Sequence, residues 1–183
     1  MEDKKVILVG PSKTLLKDKL GKKIDSFDIV CRMNSSGRPD VVTEENKHII
    51  GTKKDIWLCK HIGLLNLFPV NGYNKIVKLS NDNNKVNEYV EKLKKFNNFN
   101  SRPSCGILSI FYLLEKFKNI YICGMDGFKG GHFYGNKFIS NQEESDVMAS
   151  NGIGAHDILK ELDYIEYLIN KNKIKILIWI YFT

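Results

Sequence analysis

Short apolar runs alternate with longer segments of helical pattern along this chain, and this alternation constrains its fold more than any other feature. The runs that we interpret as strands lie at residues 6–9, 27–33, 55–59, 75–79, 119–124 and 174–182. Two segments carry apolar residues at the spacing of one helical face, at 86–96 and 158–169, and a third, at 105–114, is apolar nearly all round, as in a buried helix. Strands that alternate with helices typically form a parallel sheet between helical layers. We therefore predict one α/β domain over residues 1–183, Rossmann-like, with a mostly parallel central sheet flanked by helices.

Length and charge narrow the class of partner. With 183 residues, the chain can bury a full core without disulfides or metals. Its net charge of +7 favours an anionic partner, such as a phosphorylated ligand, a polyanion or an anionic surface. The lysines are scattered, and no basic stripe contains the interleaved aromatic residues typical of nucleic-acid binding. A nucleic-acid partner thus rests on net charge alone, and we predict none.

Four cysteines, at positions 31, 59, 105 and 123, share no spacing typical of a metal site. Most of them lie in apolar runs, which favours buried free thiols in a reducing compartment. The first residues lack the apolar core of a secretion signal, and no apolar run is long enough to span a bilayer. We expect a cytoplasmic protein without an integral membrane segment, which leaves peripheral membrane contact open.

Three loops that follow predicted strands would meet at one edge of the sheet, where ligands of open α/β folds bind. They are the turn at residues 10–12, the turn that begins at Asn34, and the glycine-rich segment after Cys123. A helix after the first turn would direct backbone N–H groups at a phosphate, although an ordinary βα unit explains that turn equally well. Neither dinucleotide-binding nor P-loop glycine patterns occur, and there is no Asp-x-Asp pair. We therefore expect no cofactor and no metal, with any phosphate chemistry left to cationic or hydrogen-bonding side chains.

Two histidines are candidate catalytic residues. His132 lies among glycines in a segment, residues 126–155, with little periodicity, which is typical of a functional lid or of disorder. An exposed side chain without a role is an equal alternative for it. His156 precedes Asp157, the predicted N-cap of a helix, whose positive end disfavours an imidazolium. A neutral imidazole there can act as a general base. Glu161 lies off the face of His156, so we leave open whether it orients a neighbouring loop or is merely solvated.

Four stretches of the chain carry residues of one set of motifs. Three of them are residues 102–108 with 120–124, residues 132–134, and His156 through Glu161. The matching residues of the fourth, which opens the chain, are Val9-Gly10, Leu20-Gly21, Ile24-Asp25, Asp28 and Arg32-Met33-Asn34. Together they resemble the sialyltransferases of glycosyltransferase family 29. The opening stretch is similar to the large sialyl motif of that family, and the other three are similar to its small, third and very small motifs, in that order. The four motifs occur in the right order and cover much of the chain outside residues 35–101. A more distant similarity links the chain to the bacterial sialyltransferases of family 42.

This resemblance implies a Rossmann-like fold of a GT-A-type variant and an inverting, metal-independent reaction. A sialic-acid-type sugar would pass from a CMP-sugar donor to a hydroxyl of a glycan or glycolipid acceptor. His156 would be the general base, and His132 would stabilise the charge that develops on the CMP phosphate. The residues that the resemblance implies in donor binding are Gly10, Ser12, Asn34, Ser104, Gly106 and Tyr134.

The chain also departs from the family pattern. Pro11 stands where the large motif usually has Asn, and Cys105 stands where the small motif has Thr. Val6 and approximately Phe117 stand where secretory members have a pair of bridging cysteines, and the absence of these cysteines fits a cytoplasmic location.

Two alternative functions stay open. One is a nucleotide-binding module on the same fold without catalysis, suggested by Pro11 and the short chain. The other is a transferase that uses CMP-Kdo, since both sugars are acidic CMP-linked keto-sugars.

Overall fold

A parallel six-stranded sheet forms the centre of the protein. The computed structural model describes residues 1–38, 41–60, 72–79, 84–127 and 156–177. Its strands are β1 (Glu2–Val9), β2 (Ile29–Met33), β3 (Ile56–Cys59), β4 (Lys75–Lys78), β5 (Phe117–Cys123) and β6 (Lys175–Ile176). Their spatial order is β4-β3-β2-β1-β5-β6, and every neighbouring pair is parallel. The predicted Rossmann-like α/β fold is confirmed.

The second half of the central strand β1, Val6–Val9, is buried on both faces, as expected of a parallel strand between two helical layers, whereas its first four residues are exposed. Alternate side chains of a strand point to opposite faces, so its apolar residues divide between two cores. Val6 and Leu8 belong to the larger core, on the side of the long helices. Ile7 and Val9 belong to the smaller one, together with Ile24 from the segment after β1. Residues 6–9 thus pack against the helical layers on both faces of the sheet.

Three long helices agree with the sequence pattern. The helices of the described residues are α1 (Gly21–Asp25), α2 (Lys47–Ile50), α3 (Asn84–Asn97), α4 (Cys105–Lys116) and α5 (Ile158–Asn170), with 3-10 helices at Lys13–Lys17 and Asn34–Gly37. The predicted N-caps are both present. Ser104 Oγ accepts a hydrogen bond from Ile107 N, and the Asp157 side chain accepts one from Lys160 N. The helical pattern and its capping residues therefore determined where α4 and α5 begin.

The segment after β1 differs from the expectation of one helix. It forms the 3-10 helix Lys13–Lys17 and the separate short helix α1. Lys19 lies between them with φ of 43°, a left-handed conformation that interrupts a right-handed helix. The break lets both Leu15 and Leu20 reach the core, while Leu16 stays exposed. Of the last predicted strand, only Lys175–Ile176 forms a strand in the described residues, and residues 178–183 lie outside them.

The chain places β2, β3 and β4 on one side of β1, and β5 and β6 on the other side. From β1 the chain adds strands outward to β4 and then returns to the other side of β1 with β5. Ligands of open α/β folds bind in the crevice at this switch point, beyond the carboxyl ends of the strands. Gly10 N donates to Cys123 O at 2.8 Å, so the segments that follow β1 and β5 meet there. The predicted convergence of loops at this edge is confirmed for its described residues.

Two further sequence expectations concern the environment of the protein. All four cysteines are free and buried, as predicted. Burial raises the pKa of the Cys31, Cys105 and Cys123 thiols, which keeps them protonated at neutral pH. None of the helices within the described part of the chain is long and apolar enough to cross a membrane.

Candidate active site

The turn that follows β1 is packed tightly against the end of β5. A Cβ atom on Gly10 would lie 2.2 Å from the Gly124 carbonyl oxygen, so only glycine fits at this position. Gly10 N and Ser12 N donate to Cys123 O and Gly124 O, and Ser12 Oγ donates to Asp126 Oδ2 at 2.6 Å. The N–H groups of Gly10 and Ser12 are thus bound within the protein, and the approach of a phosphate to the start of the following helix stays a prediction. Contact of Gly10 and Ser12 with a donor stays a prediction.

Asn34, directly after β2, has a backbone conformation that few residues adopt. Its φ is 41°, in the left-handed region that Asn tolerates better than most residues. The side-chain Oδ1 accepts a hydrogen bond from Lys60 N at 2.9 Å. The backbone carbonyl of Asn34 accepts another from Trp57 Nε1 at 2.8 Å. Since Oδ1 is committed to Lys60, the amide orientation is set, and Nδ2 is the group that Asn34 offers to a ligand.

An aromatic pair supports the 3-10 helix that begins at Asn34. The rings of Trp57 and Tyr73 stack with centroids 5.4 Å apart, and Tyr73 Oη donates to Gly37 O. Both ends of the Asn34–Gly37 helix are thereby held by side chains from the neighbouring strands or their flanks. Burial raises the pKa of the Tyr73 phenol, so it stays neutral and remains a donor. Trp57 was not identified as a site residue from the sequence. Its only signal there is a tryptophan in the predicted strand at residues 55–59.

Ser104 connects the start of α4 to α5. Besides capping α4, Ser104 donates from its backbone N to Glu161 Oε1 at 2.6 Å and from its Oγ to Glu161 Oε2. Glu161 lies in the first turn of α5 and is only 4% exposed. Of the two alternatives for Glu161, the structure therefore supports the orienting role and excludes a solvated side chain.

Gly106 lies next to Ser104 at the second position of α4. A Cβ atom there would be 2.8 Å from Met125 Cε and 3.4 Å from Ser104 Oγ. The absence of a side chain therefore lets Met125 pack directly against the start of α4. Contact of Gly106 with a donor stays a prediction.

Glu161 is poised between two protonation states. Burial raises its pKa to about 7, although the hydrogen bonds from Ser104 and the positive charge of Lys60 act in the opposite direction. Nearby Asp157 adds a smaller increase. The ionised carboxylate accepts both hydrogen bonds from Ser104, whereas the protonated acid can donate one to Ser104 Oγ.

His156 is held by a backbone carbonyl. Its Nδ1 lies 2.6 Å from Arg102 O. Because a carbonyl oxygen only accepts hydrogen bonds, Nδ1 must carry the proton, and a neutral ring then has its lone pair on Nε2. The structure thus assigns the tautomer that a general base requires. His132 and Tyr134, the other predicted members of this site, lie outside the described residues.

Lys60 is a further residue of the site that sequence reasoning missed. It follows β3, and its Nζ donates to Pro103 O at 2.6 Å. Burial lowers the pKa of Lys60, while the Cys105 thiol and Glu161 raise it and Arg102 lowers it. A single lysine after a strand carries no distinctive pattern, so only the folded structure could have revealed it.

In the described ranges, no group of three or more His, Cys, Asp or Glu side chains is placed to hold a metal ion.

Comparison with known proteins supports the fold assignment. No protein-family model matches the sequence, and no curated protein matches it either. Among solved structures, the fold is similar to that of a mammalian sialyltransferase in complex with Gal-beta-1-3GalNAc-ortho-nitrophenol. The TM-score is 0.62 at 20% sequence identity, over 96% of this chain and 69% of that chain. A second crystal structure of a mammalian sialyltransferase matches with the same values. This chain therefore has the fold of a sialyltransferase.

A bacterial structure is less similar. The sialyltransferase CstII from Campylobacter jejuni, in complex with the substrate analogue CMP-3FNeuAc, has a TM-score of 0.46 and 15% identity, over 94% of this chain and 80% of that chain.

Proposed function

We propose that this protein is an inverting, metal-independent glycosyltransferase that moves a sialic-acid-type sugar from a CMP-sugar donor to a glycan or glycolipid hydroxyl. The fold shared with a mammalian sialyltransferase supports the class of enzyme, and the sequence motifs support the donor. One observation carries the mechanism. The hydrogen bond from His156 Nδ1 to Arg102 O leaves the lone pair of a neutral ring on Nε2, which supports the proposal that Nε2 accepts the proton of the acceptor hydroxyl.

In the proposed reaction, His156 acts as the general base on the acceptor. The acceptor oxygen forms a bond to the anomeric carbon while the bond from that carbon to the CMP phosphate oxygen breaks on the opposite face. CMP leaves with the electron pair of the broken bond, and the acceptor proton passes to His156 Nε2. Attack opposite to the leaving group inverts the anomeric configuration. We propose that His132 and Tyr134 stabilise the charge on the departing phosphate.

The nucleotide is proposed to bind along the edge formed by Asn34, Ser104 and Gly106. Asn34 offers donors from Nδ2, since its Oδ1 accepts from Lys60 N. Ser104 offers a lone pair rather than a proton when Glu161 is ionised, because Ser104 Oγ then donates to Glu161. The two side chains thus suit a ligand that presents an acceptor to one and a donor to the other, as a nucleoside does. Gly10 and Ser12 complete this edge at the switch point.

The remaining proposals concern the setting of the enzyme. The net charge of +7 suits an anionic donor and peripheral contact with an anionic surface. Four buried free thiols suit a reducing compartment, and we propose a cytoplasmic location on that ground.

Ligand-dependent thermal stability tests the donor class. CMP, CDP, UDP and GDP are compared with and without a divalent ion, and we expect CMP alone to stabilise the protein. CMP-sialic acid and CMP-Kdo are then incubated with acceptor glycans, and the products are separated by chromatography. Transfer from one donor identifies the sugar, and binding of CMP without turnover of either supports the inactive-module alternative. Stabilisation by UDP plus metal, with none by CMP, would overturn the proposal.

Substitution of His156 tests the mechanism. Asn at this position can still donate a hydrogen bond to Arg102 O, but it has no group at the position of Nε2. H156N should therefore bind CMP as the wild type does and lose transfer by about a hundredfold or more. Near-normal transfer by H156N would show that another group accepts the proton.

A further inference from the structure

The segment that leads into α4 is held at three consecutive residues by side chains from elsewhere in the fold. We call residues 102–104 the entry segment. Arg102 O is bound by His156, and Ser104 is bound by Glu161. Pro103 O, between them, is bound by Lys60. The candidate base is therefore attached to a segment whose position depends on two other side chains.

The backbone of the entry segment requires these partners. Pro103 lacks an N–H and restricts the residue before it to extended backbone, and Ser104 is itself extended, with φ of −68° and ψ of 164°. In an extended conformation, the carbonyls of residues 102 and 103 precede the helix and cannot join its hydrogen-bond ladder. Pro103 is buried, so its carbonyl needs a donor from the protein. Lys60 Nζ supplies that donor.

Lys60 contacts the site in two chemically different ways. Its backbone N–H binds Asn34 Oδ1, and its side-chain ammonium binds Pro103 O. The first contact belongs to the proposed donor-binding edge, and the second belongs to the segment that holds His156. A substitution of the side chain removes only the second contact.

We propose that Lys60 is a positioning residue of the transfer reaction: its ammonium fixes the entry segment, and the Arg102 carbonyl of that segment in turn orients His156. This inference rests on the proposed role of His156 as the base. Lys60 is not itself a catalytic residue, because it acts through Pro103 and Arg102 rather than on the reacting atoms.

The two contacts predict a separation of kcat from KM. In K60M, the backbone contact to Asn34 persists, so KM for the CMP-sugar donor should stay within about twofold of the wild-type value. The entry segment loses its anchor, and kcat should fall by about tenfold or more, as expected when a catalytic group is misplaced. K60R should restore part of kcat, because a guanidinium can also donate to Pro103 O.

Lys53 provides a matched control. Its Nζ also donates to backbone carbonyls, those of Phe27 and Asp28, which precede β2 at the opposite edge of the sheet. K53M therefore removes the same type of hydrogen bond far from the entry segment, together with the ion pair from Lys53 Nζ to Asp55 Oδ2 at 3.8 Å. It should reduce the free energy of unfolding without lowering kcat.

The pH dependence distinguishes positioning from an electrostatic effect on Glu161. Glu161 faces Ser104 of the α4 N-cap, Lys60 after β3 and Asp157 before α5, and Lys60 also faces Arg102. Loss of the Lys60 charge favours the protonated form of Glu161. We expect Glu161 to be ionised at pH 9 in both proteins, because that pH lies about two units above its pKa of about 7 in the wild type. If Lys60 acts by positioning, the loss of kcat in K60M persists at pH 9, whereas recovery at that pH would overturn the inference.

Histidine-ring ¹⁵N NMR of the full chain tests the inference without any need for turnover. The His156 signal is assigned by its absence in H156N. We expect the Nδ1–H tautomer in the wild type and K53M, and a mixture of tautomers in K60M. An unchanged His156 tautomer in K60M would overturn the inference even if the enzyme transfers sugar normally, and a wild-type Nε2–H tautomer would overturn both proposals. If K60M does not fold, K60L, which also lacks a hydrogen-bond donor, serves in the same measurements, with the same outcomes expected.

Discussion

Glu161, near the start of α5, accepts hydrogen bonds from both the backbone N and the Oγ of Ser104, the residue that caps α4. The two residues are 57 positions apart in sequence, so this contact joins the starts of two helices that are far apart along the chain. Ser104 is a predicted donor-binding residue, and His156 lies one residue before the cap of α5. The pair therefore couples the donor-binding edge to the element that carries the candidate base.

Removal of the Ser104 hydroxyl should destabilise the protein. In S104A, Ile107 N loses its cap and Glu161 Oε2 loses a donor in a buried environment. We expect the free energy of unfolding to fall by about 1–3 kcal/mol, measured by urea denaturation at pH 7.5. S104T is the control because it retains the hydroxyl. Equal stability of S104A and the wild type would contradict the assigned hydrogen bonds.

Replacement of Glu161 by Gln should change how stability depends on pH. The pKa of Glu161 is raised from 4.5 to about 7 in the folded state, so between these values the folded protein holds a proton that the unfolded chain releases. The contribution of this group to stability is therefore complete at low pH and is lost as pH rises toward about 7. Gln at position 161 has no ionisable group, so E161Q does not lose stability in this way. The free energy of unfolding of E161Q minus that of the wild type should therefore increase by about 2–3 kcal/mol between pH 5 and pH 8.

Glu166 on the same helix is the control for that measurement. It is exposed, and E166Q makes the same chemical change without a buried carboxyl group. Denaturant unfolding of the wild type, E161Q and E166Q at several pH values gives the comparison. If the stability difference between E161Q and the wild type did not vary with pH, Glu161 would not be a buried group with a raised pKa.

The left-handed backbone of Asn34 predicts different results for Gly and Ala at this position. Both N34G and N34A remove the amide that is proposed to contact the donor, so both should weaken CMP binding by about tenfold in calorimetry. Only Ala carries a Cβ that disfavours φ of 41°, so N34A should be about 1 kcal/mol less stable than N34G. Unchanged CMP affinity in N34G would remove Asn34 from the donor site.

Two glycines of the site should respond unequally to Ala. A Cβ on Gly10 would meet the backbone of Gly124, which cannot move without disturbing β5, so G10A should cost about 3 kcal/mol or more. A Cβ on Gly106 would meet the flexible end of Met125, so G106A should cost less than about 1 kcal/mol. G106A should nevertheless reduce CMP affinity, because the methyl group occupies space beside Ser104. Full CMP affinity in G106A would show that the donor does not use that space.

Much of the fold could be predicted from local sequence. The apolar run at residues 6–9 identified the central strand, and the caps Ser104 and Asp157 identified the starts of α4 and α5. The expected continuous helix after β1 was wrong, because its leucines also fit a broken segment that turns both Leu15 and Leu20 to the core. Spacing alone does not distinguish a regular helix from two short helices that bury the same residues.

The candidate site could be predicted only in part. The strand ends and the histidine before a helix cap were recognisable, since each depends on a few adjacent residues. Lys60 and Trp57 were not, because neither has a local pattern that signals its partner. The raised pKa of Glu161 was equally hidden, since it results from burial, opposed by the hydrogen bonds from Ser104 and by the charge of Lys60.

The sequence by itself determined the order of strands and helices, the helix caps and the set of polar residues at strand ends. These features follow from backbone propensity, apolar periodicity and short-range hydrogen bonds. Only the tertiary structure decided the tautomer of His156 and the contacts of Lys60 and Glu161. Those contacts join residues 26 to 57 positions apart, and their geometry results from how the sheet and helices pack rather than from any neighbouring residue.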